Sequence, residues 1–162
     1  MRTVISAPPT IDVSALALRL ARGAPVAEDP SRAACGKYGY QTLYEIPVAL
    51  QKRLRRELIS AHVERLSGVA EVVCDHSVFA WLADWMRWLW SETPAGEWED
   101  VLRAAQPAVD RSETIIHVVE GPPASYDAYR WRDPRNALQV ERLIRQLYRD
   151  FGVEARVRDT HA

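Results

Sequence analysis

Lysine is nearly missing from this chain. Of 21 basic residues only Lys37 and Lys52 are lysines, so an anion bound here has to be met mainly by arginine or by backbone N–H groups. Cysteine is equally scarce: Cys35 and Cys74 lie far apart, form no C-x-x-C pair, and read as two buried reduced thiols. There is no excess of charge of either sign, 21 basic residues standing against 22 acidic ones, which argues against nucleic acid or an anionic membrane as a partner through bulk charge. Long apolar runs are absent as well. No stretch approaches the roughly 18 apolar residues of a spanning helix. The apolar run Thr3–Ala7 is cut by Pro8 and Pro9, so it does not read as a secretory signal, and the expected location is the cytoplasm. Phenylalanine is rare at two residues, yet there are six tryptophans, five of them between Trp81 and Trp98.

The length of 162 residues and the 48% hydrophobic content fit one soluble domain spanning residues 1–162. Its first two dozen residues carry the most information. Val4 and Ile5 end a short apolar strand, a loop runs from Ala7 to Ser14, and a helix with Leu16 and Leu20 on one face follows. This is the layout of a phosphate-binding strand, loop and helix. Set against GxxxxGK[ST], however, Ala7 and Asp12 stand at the glycine positions and Val13 at the lysine, and only Ser14 agrees. The missing groups are those that wrap backbone N–H groups around an anion and neutralise its charge. Asp12 adds a like charge, which at ~4 Å and an effective dielectric of ~20 opposes a bound phosphate by about 4 kcal/mol. The plain alternative is a rigid Pro8-Pro9 turn in which Asp12 or Thr10 accepts the free N–H groups of the next helix.

Further along, residues 26–30 suggest a strand end and then a helix start with Pro30 at its first position. Pro47 opens a long helix with Leu50, Leu54, Leu58, Ala61 and Leu66 at helical spacing and a basic flank of Lys52, Arg53, Arg55 and Arg56. Val69–Cys74 reads as a buried strand that delivers Asp75-His76-Ser77 at its carboxyl end, where open parallel sheets place their sites. The next helix starts at Val78, with Trp81, Trp85 and Trp88 on one face. A helix over Glu97–Ala105 is expected to close at Pro107, Thr114–Val119 is the clearest strand, Ala137–Phe151 is an amphipathic helix, and Val153–Val157 is expected to return as a last strand. Buried strands alternating with helices predict an α/β three-layer sandwich around a mostly parallel five-stranded sheet.

This order of features resembles the small nucleoside- and nucleotide-kinase-like P-loop NTPases, within the AAA-type ATPase/kinase group, over Arg2 to about Val157. The resemblance implies roles for particular residues. Ser14 matches the hydroxyl that ligates Mg²⁺, and Asp75 matches the aspartate that helps hold Mg²⁺ or engages the substrate, with Ser77 beside it. Arg130, Arg132 and Arg135, in the segment YRWRDPRN, match the lid arginines that close on phosphate, Arg132 as a catalytic group and the others as binding groups. ATP and Mg²⁺ are the cofactors only if the loop still works.

Each of these residues also has a purely structural reading. Asp75 and His76 could form a general-base or metal pair, or a capping and hydrogen-bonded pair at a strand end. The lid arginines could be a solvated loop, or could meet a small anionic ligand. His117, inside the clearest strand, reads as a satisfied buried histidine. Trp88, Trp90 and Trp98 flank a loop over 91–96, and exposed indoles there would mark an interface with a protein partner or a second copy. Taken together, the sequence predicts a P-loop kinase-like chain with impaired catalysis that acts as a binding or partner module, binding neither nucleic acid nor membrane. The alternatives are an active ATP-dependent kinase or NTPase with an atypical loop, and a non-phosphoryl enzyme that uses the cleft for another small anionic substrate.

Overall fold

The computed structural model describes residues 1–8, 10–40, 45–123 and 134–162, apart from the side chains of Arg32 and Pro134. Five strands, β1 (Arg2–Ser6), β2 (Val26–Ala27), β3 (Val72–Cys74), β4 (Thr114–Glu120) and β5 (Val157–His161), form one sheet in the order β2-β3-β1-β4-β5. Every pairing is parallel, with Val4 in register with Cys74 on one side and Ile115 on the other. The sheet is therefore wholly parallel. β1 is central, and the chain passes from β3 on one flank to β4 on the other, so the segments leaving these three strands diverge and open a crevice at the carboxyl edge.

Six helices cover the sheet: α1 (Ser14–Ala21), α2 (Ser31–Lys37), α3 (Val48–Ser67), α4 (Val78–Trp88), α5 (Ala95–Arg111) and α6 (Pro134–Asp150). Side chains alternate strictly along the strands, which splits the core in two. Val4, Val72, Cys74 and Ile115 face α3, α4, α5 and α6, whereas Ile5, Val73, Ile116 and Val118 face α1. Trp85 is fully buried in the larger core, where its indole N–H donates to Thr93 Oγ1 at 3.0 Å. Among the described residues no helix is long and apolar enough to cross a membrane.

Three local expectations give way to tertiary contacts. The helix at Glu97 does not close at Pro107; α5 runs on to Arg111. Proline removes one helical hydrogen bond, but Val101, Ala105, Ala108 and Val109 pack on both sides of it in the core. Arg156 Nη1 also holds the carboxyl end of that helix, donating to the carbonyls of Val109 at 2.9 Å and Ser112 at 2.8 Å. The last strand is not Val153–Val157 but Val157–His161. Gly152 adopts φ 63°, Val153 N–H bonds back to Tyr148 O at 2.9 Å and Gly152 N–H to Arg149 O at 3.0 Å, a helix-ending motif that uses Val153 as an apolar plug. Finally, Arg55 does not belong to the exposed basic flank. It is buried and ion-paired to Asp84 between α3 and α4, its Nε 3.1 Å from the carboxylate.

Candidate functional site

The loop between β1 and α1 is folded back on itself and on its neighbour. Ile11 N–H donates to Pro8 O at 3.1 Å, Asp12 N–H to Pro122 O at 2.9 Å, and Ser14 N–H to the Asp12 carboxylate at 2.9 Å. Ile11 also makes an antiparallel bridge with Pro123. The segment leaving β4 thus lies across the loop. Gly121 is required by this approach: a Cβ there would come 2.7 Å from the Ala162 Cβ and 2.8 Å from Ile11 Cγ2.

Beside the loop, β3 delivers Asp75 and His76. Asp75 N–H donates to Ala27 O at 3.1 Å, and the Asp75 carboxylate lies 2.9 Å from His76 Nδ1. Behind them, His62 of α3 packs on His76 with ring centroids 4.8 Å apart and meets Trp81 edge-on at 5.4 Å. Neither nitrogen of His62 has a partner. Burial, then the charges of His76 and Arg65, push its pKa down to about 3. Cys74 is driven the other way, its thiol pushed up to about 12 chiefly by burial, so it is not a nucleophile at neutral pH.

A second polar group runs through the middle of the sheet edge. Ser77 caps α4 by accepting the Ala80 N–H at 3.3 Å and donates its own proton to Ser6 Oγ at 2.9 Å. On the same face the Tyr148 hydroxyl lies 3.0 Å from His117 Nδ1. Burial raises the Tyr148 pKa and pushes His117 down to about 4, so this histidine is neutral at pH 7. The other ring nitrogen of His117, Nε2, is turned toward Glu141. That nitrogen is buried without a hydrogen-bond partner, 3.8 Å from Glu141 Oε1.

Glu141 in turn lines a 470 Å³ cavity at the carboxyl edge. Pro8 and Ile11 of the loop, Val119 of β4 and Leu138 of α6 form apolar walls, and among the described lining residues Thr10 is the other polar group. Asn136, one residue before the lining residue Ala137, is buried with neither amide atom partnered.

The structure therefore brings Asp12 to Ser14, Asp75 to His76, Ser77 to the root of the loop at Ser6, and Thr10 to the cavity. Arg130 and Arg132 lie outside the described residues, and Arg135 sits exposed in the first turn of α6. Trp88 is half-buried with Arg87 stacked 4.5 Å over its ring, whereas Trp90 is 53% exposed and meets the half-buried Trp98 edge-to-face at 5.5 Å. The basic flank of α3 is neutralised locally: Lys52 and Arg56 share Glu97, and Arg53 pairs with Glu57. Among the described residues, no group of three or more His, Cys, Asp or Glu is placed to hold a metal ion. Sequence reasoning missed Glu141 and the free Nε2 of His117. The only signal for them was a histidine in the most apolar strand, and its partners come from residues about 25 to 110 positions away.

The fold is α/β, a parallel five-stranded sheet between helices of the P-loop kinase-like kind. Two solved structures of NadR protein are similar over almost the whole chain. One, in complex with NAD and AMP-PNP, has a TM-score of 0.71 and 14% identity over 99% of this chain. The other, in complex with NR, has a TM-score of 0.67 and 13% identity over 98% of it. This chain spans 44% and 43% of the length of those two chains. At such identity the likeness is one of fold. No family profile and no curated protein matches the chain.

Proposed function

We propose that this chain is a P-loop kinase-like protein that does not transfer phosphate and acts as a binding or partner module. The observation that carries this reading is where the loop's backbone N–H groups point. A working phosphate loop aims them at the anion. Here Ile11, Asp12 and Ser14 direct theirs to Pro8, Pro122 and Asp12, and residues 8 and 9 are prolines with no N–H to offer. Asp12 supplies the negative charge that phosphate would otherwise bring to the start of α1. The residues present do not fit the triphosphate of a nucleotide. The exposed Trp90 with Trp98 supports a protein partner or a second copy as one occupant of the surface.

The alternative, an active kinase with Ser14 and Asp75 on Mg²⁺, draws on the Ser77 to Ser6 hydrogen bond, which holds the end of β3 against the root of the loop. NadR was crystallised with NAD and AMP-PNP, so the fold accommodates nucleotides in that protein. Thermal unfolding with ATP and Mg²⁺ separates the two readings. A ligand at 100 times its dissociation constant stabilises by about 2.7 kcal/mol. We expect no shift with ATP, and expect one to emerge when Asp12→Gly and Val13→Lys are combined. Micromolar ATP affinity in the natural chain that is lost in Ser14→Ala would establish the kinase reading instead.

A further inference from the structure

The exposed side of α3 lines an open groove of 780 Å³, to which α5 contributes Glu97. The charges on this face are sorted along the helix. Lys52, Arg53 and Arg56 stand toward its start, Glu57 at the middle and Glu64 toward its end, with the small side chains of Ser60 and Ala61 between the last two. Some of these charges are spent inside the chain and some are not. Lys52 and Arg56 are held by Glu97, whereas the Arg53 side chain is 71% exposed and meets only Glu57, one turn along the same helix, in a surface pair of the kind that holds weakly. Glu64 forms no ion pair among the described residues. Lys52 also reaches the Glu92 carbonyl, which brings the turn Trp90–Glu92 to the basic end of the groove. Trp90, exposed and lying edge-on to Trp98, therefore borders the groove at that end.

We infer that a second copy of this chain docks in this groove, α3 against α3 and antiparallel, about a two-fold axis level with the step from Leu58 to Ile59. The face is complementary to itself, which singles out a copy as the occupant. In that register Arg53 faces the partner's Glu64, Arg56 the partner's Ala61 and Glu57 the partner's Ser60, and the axis repeats each contact. Every long side chain meets either a short one or a charge of opposite sign. A parallel arrangement would instead set Arg53 on Arg53 and Glu64 on Glu64, like charge on like. At the ends, Lys52 is level with the partner's Arg65 but is turned inward onto Glu97. Trp90, beside Lys52, reaches the carboxyl end of the partner's helix and offers its ring to the guanidinium of the partner's Arg65. Tryptophans so placed carry much of the binding energy of an interface. A copy on this face names the partner of the binding module proposed above and rests on that reading. Nucleotide at the loop and association at α3 are read by separate measurements, so either can fail alone.

Sedimentation equilibrium of the full chain over a concentration series, at low and at high salt, gives the mass and the dissociation constant. We expect twice the 18.4 kDa of one chain at high concentration, with association weakened by salt. Arg53→Glu and Glu64→Arg should each weaken self-association at least about tenfold, since each sets like charges across the axis. Mixing the two variants should restore association as a one-to-one heterodimer, because both contacts across the axis then join opposite charges. Trp90→Ala should weaken it by at least about tenfold as well. A single-chain mass at every concentration, charge-reversed variants that associate as the natural chain does, a mixture that stays monomeric, or unchanged association in Trp90→Ala would each overturn the inference. The mass of the natural chain, its salt dependence and the Trp90→Ala variant decide the matter even if a charge-reversed variant fails to fold.

Discussion

The two faces of the sheet are built on different terms. On one, α3 to α6 enclose Trp85, Phe79, Tyr148 and the Arg55–Asp84 pair, and bury His62, His76 and His117 among them. On the other, α1 packs Leu16, Ala17 and Ala21 on Ile5, Val73, Ile116 and Val118. The thick face is deep enough to carry polar side chains that find partners within the protein, and in His62 and His117 some that do not. The thin face buries Thr3 beside its apolar contacts. The groups with functional potential at the carboxyl edge, Ser77, His117, Tyr148 and Glu141, belong to β4, α6 and the start of α4 rather than to α1.

The largest expected effect contrasts the faces directly. Trp85→Ala should cost about 4–5 kcal/mol in chemical denaturation and Leu16→Ala about 2–3 kcal/mol, because the thick face collapses less readily around a lost indole. Equal costs would break the comparison. A smaller effect sharpens it through pH. His62 and His117 titrate in the fold at about 3 and about 4, below the ordinary histidine value. The unfolded chain therefore binds more protons below pH ~6.5, and stability present above that pH is lost on acidification, by up to about 1.4 kcal/mol per pH unit per histidine. Unfolding measured from pH 7 to pH 4 should show a shallower loss in His62→Leu, whereas Leu16→Ala should shift stability without altering that slope. The smallest effect concerns the strut under α5. Removing the guanidinium in Arg156→Met should lower stability by about 1 kcal/mol, since two helix-terminal carbonyls lose their donor.

Much of the architecture was legible in the residues. Val4-Ile5, the run ending at Cys74 and Thr114–Val119 announced three neighbouring strands, and the spacing of Leu54, Leu58 and Leu66 announced α3. Pro107 misled because a local helix breaker was outweighed by core contacts on either side of it. Val153 misled because its use as the plug of α6 depends on Gly152 and Tyr148. Arg55 looked like its basic neighbours, and nothing within α3 reveals that Asp84 of the next helix waits for it. At the site, Asp12 as the acceptor for its own helix was within reach of the sequence, since the partner is two residues away. The capture of its N–H by Pro122 was not.

By itself the sequence determined the alternation of strands and helices, the parallel sheet they imply, and the shortage of glycine and lysine at the phosphate loop, because these follow from short-range periodicity and from which groups are present at all. Only the tertiary structure decided which donors and acceptors are left facing one another. His117 and Glu141 are two dozen positions apart, and the Tyr148 hydroxyl that meets the other nitrogen of that imidazole is 31 positions away. Hydrogen-bond partnership inside a protein depends on distance in space, and no pattern along the chain encodes it.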